Sequence, residues 1–134
     1  MNIYCAKNAF DICYNCKYTQ IGKRGSNLRK VRITVIKKEF YEAFAEKYLT
    51  DGRQVGACPI LNEGDVFVYE GGAKMPEGLC PWAWIDIYNG VSAIFNGASF
   101  QPWNNRERMQ VLCCTDGIRP VSFLIEAIDS GGQE

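Results

Sequence analysis

Residues 31–36 read Val-Arg-Ile-Thr-Val-Ile, with β-branched side chains recurring at Val31, Ile33 and Val35. A period of two places these residues on one face of an extended chain, so the segment must be a strand with a buried side. Such a strand needs neighbours for its edges and a layer for its apolar face. The neighbours are legible downstream. GDVFVYEGG (64–72) is a second strand, bounded by Gly64-Asp65 and by the Gly71-Gly72 pair. MQVLCCTDG (109–117) and RPVSFLIEAI (119–128) form a final pair around the turn residues Asp116-Gly117.

The covering layer is written at a different period. FYEAFAEKYL carries Phe40, Ala43, Phe44 and Tyr48 at helical spacing and predicts a helix of about three turns. Pro81 sits where the first helical residue would be, and WAWIDIYNGVSAIFNG continues with bulky residues at 82, 84, 85, 88, 91, 94 and 95. Strand, helix, strand, helix and hairpin predict an α+β fold: one small domain, an antiparallel or mixed sheet with two helices on one face. The chain divides into a Cys-bearing, loop-rich segment at 1–28, the α+β domain at 29–128, and a polar tail at 129–134. A length of 134 residues supports one such core and not two.

There is no histidine. Ser-His-Asp and Cys-His catalysis, HExxH zinc chemistry and His-containing zinc fingers are therefore excluded together. What remains is the chemistry of thiols, carboxylates and backbone, in a chain with seven cysteines. No stretch approaches the roughly 18 apolar residues that span a bilayer. MNIYCAKNAF lacks the charged and apolar regions of a secretory signal, so the expected location is cytoplasmic. Thiols stay reduced there and serve as ligands, nucleophiles or buried apolar groups more often than as disulfides.

Cys13-x-x-Cys16 is the sharpest local signal. Two thiolates at that spacing reach one ion from a tight turn, and Cys5, eight residues earlier, supplies a third. The fourth ligand of a closed site must come from elsewhere, and Cys58, followed by Pro59, is the first candidate. A metal would also order a segment poor in apolar material. Incidental thiols or a redox dithiol without metal are the competing readings. Cys80 has a separate role in view. As the residue before Pro81 it caps the second helix, where the positive end of the macrodipole favours thiolate. It is the candidate nucleophile, against the plainer reading of a buried cap facing Trp84. No histidine can act as its base, which leaves Glu77, Asp86 and Lys74 nearby in sequence. Cys113 and Cys114 are adjacent in a strand and point to opposite faces, so one is expected in the core.

A pocket is expected from the Gly/Pro-rich loop with Lys74, from Cys80, Trp84 and Tyr88, and from the hairpin residues Cys113, Cys114, Asp116 and Arg119. Most of the aromatics are core by default, and Asp116 with Arg119 most simply braces the hairpin. Residues 1–38 hold nine Lys/Arg against Asp11 alone, whereas residues 39–134 hold six against fourteen Asp/Glu. The basic part is expected to dock on an acidic surface, either its own body or a larger partner, or to support self-association. Lys23, Arg24, Arg29, Lys30 and Arg32 beside a CxxC also admit phosphate contacts. Nucleic acid is nonetheless not the favoured partner, since lysines on a solvated strand edge explain the run.

Taken together, Cys58-Pro59, Gly64-Asp65, KMPEGLC at 74–80, Trp84 with Tyr88, and CCTDGIRPV at 113–121 carry a resemblance. Residues 31–128 resemble a family of small, functionally uncharacterised proteins of anaerobic bacteria and archaea. The Cys5/Cys13/Cys16 extension departs from its shorter members. Cys5 and Cys13 are also spaced like the small cluster-binding subunits of glycyl-radical decarboxylases. The resemblance implies a reducing, anaerobic setting, and so an iron–sulfur cluster before zinc, but no activity. The expectation from sequence is a small metal-binding accessory protein or small subunit of an anaerobic redox enzyme. The alternatives are a thiol-dependent enzyme built around Cys80 and the Cys113–Arg119 hairpin, and a protein-interaction module without enzymatic activity.

Overall fold

The alternating segment becomes the first strand, β1 (Arg29–Lys38), of a computed structural model that describes residues 29–129. The remaining elements are α1 (Glu42–Tyr48), a 3-10 turn at Gly52–Val55, β2 (Val66–Tyr69), α2 (Pro81–Phe95), β3 (Met109–Cys113) and β4 (Val121–Asp129). The four strands form one antiparallel sheet in the order β2-β1-β4-β3. The fold is the small α+β domain expected. Cys5, Cys13, Cys16 and the rest of segment 1–28 lie outside the described residues, as do residues 130–134 of the tail.

Register decides which face is core. Val31, Ile33 and Val35 lie opposite Ala127, Ile125 and Phe123 of β4, while Val31 and Ile33 also face Tyr69 and Phe67 of β2. Val31, Ile33, Val35, Val121, Phe123 and Ile125 are all fully buried or within 1% of it. Helix α2 supplies the covering layer through Ala83, Ile87, Val91 and Ile94, which share one side of the helix. Two glycines permit close approach. A Cβ on Gly90 would stand 2.3 Å from Leu112 Cδ1, so the absence of a side chain at Gly90 lets Leu112 of β3 pack directly on the α2 backbone. Gly71 has a φ of +103° and lies under the Phe95 ring, a conformation that favours glycine.

Helix α1 is shorter than its periodicity predicts: seven residues instead of about three turns. Only Ala45 is buried in it. Phe44 makes edge-to-face contacts with both Tyr41 and Tyr48 on the surface, so aromatic spacing reports a local ladder and not a core face. The far face of the sheet carries exposed Val66, Val68 and Val111. There Glu126 accepts from Arg32 Nη2 at 2.9 Å and pairs with Arg106 Nη1 at 3.0 Å. Among the described residues no helix is long and apolar enough to cross a membrane.

Candidate functional site

Where α2 begins, its first turn meets the loop that joins β3 to β4. Pro81 starts the helix at a position needing no N–H, and Cys80 precedes it with extended backbone, its side chain making no capping hydrogen bond. The β3–β4 loop is fastened in two ways. Asp86 Oδ2 accepts from Thr115 N at 2.8 Å and from Thr115 Oγ1 at 3.0 Å, and Trp82 Nε1 donates to the same hydroxyl at 3.1 Å. Asp116 Oδ1 accepts the N–H groups of Ile118 and Arg119, both at 3.0 Å, while Oδ2 takes Arg119 Nε at 2.9 Å. The Asp-Gly turn is therefore closed by its own carboxylate and clipped to the helix.

These constraints shape a cavity of about 470 Å³. Its polar lining is Cys58, Cys80, Cys114, Asp116 and Arg119; its apolar walls include Ile60, Leu61, Trp82 and Val121. The size is that of a small-molecule site. All four described cysteines are free thiols: Cys80 is buried, Cys58 and Cys114 are half-buried, and Cys113 is exposed. Val121 N–H donates to Cys114 Sγ at 3.3 Å, and Cys114 N–H donates to Val121 O at 3.0 Å.

The sequence-derived pocket is thus partly assembled. Cys80, Cys114, Asp116 and Arg119 come together and are joined by Cys58. Cys113 lies opposite Ser122 in the β3–β4 register and does not line the cavity. Partial burial pushes its thiol up from the ordinary value. Trp84 and Tyr88 instead build an aromatic cluster with Tyr69, their centroids 5.0 to 6.4 Å apart, packed against the core. Lys74 and Glu77 line a separate depression beside β2, so neither stands at Cys80. Asp86, another candidate base, is spent on Thr115. Trp82, one of the aromatics of the second helix, lines the cavity, as do Ile60 and Leu61, which no local signal in the sequence marks. Among the described residues no group of three or more Cys, Asp or Glu side chains is placed to hold a metal ion.

The electrostatics limit the chemistry. Burial pushes the Asp116 carboxyl up, but the N–H groups of Arg119 and Ile118 and the Arg119 guanidinium more than offset it and hold the group below its ordinary 3.8. A carboxylate so stabilised is a poor base at neutral pH. The pocket offers sulfur nucleophiles and a charge pair, without a general base tuned to neutrality. Stability follows with a definite sign. With the folded value depressed, the Asp116 contribution is complete above 3.8 and is lost as pH falls through the folded value. Asp116→Asn should cost about 1–2 kcal/mol at pH 7, and the difference from wild type should shrink toward zero below pH 3.8 in urea melts. A gap independent of pH would show that the ion pair is not its source.

No family model matches the sequence, and no curated protein or solved structure shows significant similarity to it.

Proposed function

We propose that this domain binds a small molecule in a thiol-lined pocket and acts on it, or captures it, through Cys80 and Cys114. One observation carries the reading: Cys58, Cys80 and Cys114, from three separate parts of the sequence, line the same cavity with the Asp116–Arg119 pair. Cys80 belongs to the buried core cluster and Cys58 and Cys114 pack against it, yet all three line the cavity. Cys80 stands at the start of α2, and Cys114 Sγ accepts the Val121 N–H at 3.3 Å. The absence of histidine fits a role in which the thiol proton leaves to solvent.

A metal-binding role for Cys5, Cys13, Cys16 and Cys58, with an iron–sulfur cluster or zinc, is retained as a second reading. What favours it is Cys58, a free, half-buried thiol at the pocket wall. One experiment addresses both. Protein purified without oxygen is assayed for metal and sulfide, then treated with a small neutral electrophile and mapped by mass spectrometry. Adducts on Cys80 and Cys114 ahead of Cys113 support the pocket. Labelling confined to Cys113 among the four would overturn it. Bound metal that shields Cys58 would favour the second reading.

A further inference from the structure

The pocket's hydrogen-bonding groups are not evenly satisfied. Asp116 is largely satisfied, because three donors already engage its two oxygens. Arg119 is not. A guanidinium carries five N–H donors in a planar fork, and only Nε is committed, to Asp116 Oδ2. No hydrogen bond or ion pair engages its terminal nitrogens among the described residues, and its side chain is 35% exposed while lining the cavity. The unmet demand of the site is therefore for an acceptor. The fork fits the two oxygens of a carboxylate. Asp116 already neutralises the single charge of Arg119, so every charge on a ligand is uncompensated against walls of Ile60, Leu61 and Trp82, and one such charge costs less than two.

We infer that the pocket takes a small monoanionic carboxylate with an apolar body, its carboxylate on the terminal nitrogens of Arg119 and its body against Trp82 and Leu61, beside the thiols. The inference rests on the pocket being the working site and adds the chemical class of what enters it.

Iodoacetate and iodoacetamide separate the two claims. Each reacts by the same displacement: the sulfur anion attacks carbon, a C–S bond forms, the C–I bond breaks, iodide leaves with the electron pair, and the thiol proton goes to buffer. They differ in carrying a carboxylate or an amide. Rates at Cys80 and Cys114 are measured on the native chain and compared with the same thiols in urea. The iodoacetate-to-iodoacetamide ratio should be roughly tenfold higher in the native chain. Arg119→Gln should bring the ratio back to the unfolded value, and Arg119→Lys, which keeps the charge without the fork, should restore part of it. Circular dichroism establishes that each variant is folded. Hexanoate should slow iodoacetate labelling, and inorganic phosphate at equal ionic strength should not. Equal ratios in native and unfolded chains, a ratio indifferent to Arg119→Gln, or equal protection by phosphate would overturn the inference while leaving the pocket standing. Failure of both reagents to reach Cys80 and Cys114 in the native chain would overturn both.

Discussion

Phe123→Ala should lower the stability of the domain by about 3–5 kcal/mol, the usual cost of removing a fully enclosed aromatic side chain and leaving a cavity. Phe123 is fully buried and, among the described residues, is the largest of the completely enclosed side chains. It lies on β4 between Val35 of β1 and Leu112 of β3, within the core cluster that α2 covers. Sheet neighbours on both sides are held by backbone hydrogen bonds, so the site cannot collapse around the void. Domains of this size are stable by only about 5–15 kcal/mol, so the loss is a large share of the total. Urea unfolding should show a lower midpoint at unchanged slope, with Ile87→Val, in the same core, costing only about 0.5–1.5 kcal/mol. A loss under about 1 kcal/mol for Phe123→Ala would mean that α2 does not pack on the sheet as described.

Asp86→Ala should act locally. Its carboxylate takes two hydrogen bonds from Thr115, through the backbone N–H and the hydroxyl, and Trp82 completes the clip on the same hydroxyl. Bonds to a charged acceptor are worth about 1.5–3 kcal/mol each when their loss strands a donor, less where solvent can replace it. Thr115 is exposed, so the lower part of that range applies to the pair. At 1.4 kcal/mol per factor of ten, amide exchange at Thr115, Ile118 and Arg119 should accelerate about tenfold or more. The β1 amides, whose partners are β2 and β4, should keep their protection. Uniform acceleration across the sheet would show that Asp86 is a global and not a local support. The same loosening should disturb the pocket, because Cys114 and Arg119 are carried by the strand end and turn that Asp86 holds.

The strands and the second helix were legible because each is written locally. Val31, Ile33 and Val35 alternate, Cys80-Pro81 marks a helix start, and Asp116-Gly117 marks a turn. Helix α1 misled because aromatic residues at helical spacing satisfy one another on the surface, which periodicity does not distinguish from a core face. In α2 the bulky residues include Val91 and Ile94 of the inward line but not Ala83 and Ile87, which complete it, while Trp82 and Ile85 are 64% and 75% exposed. Half of the site followed from the same local reading, since strand parity separates Cys113 from Cys114. The other half did not. Cys58 reaches the pocket only through tertiary packing, and Trp84, Tyr88 and Lys74 leave it for the same reason. Sequence adjacency to Cys80 places a residue near in the chain, not in the cavity.

The central claim is that folding presents Cys80 and Cys114 to an open pocket and leaves Cys113 outside it. Its most direct test is the iodoacetamide rate constant at each of the four described thiols in the native chain at neutral pH, taken against the same thiol in the unfolded chain. Cys80 and Cys114 should both be labelled in the native state, because both line the cavity. Cys113 should be slower than its unfolded value, since partial burial pushes its thiol up. Labelling of Cys113 alone, with Cys80 and Cys114 reached only on unfolding, would contradict the account and make these thiols packing groups.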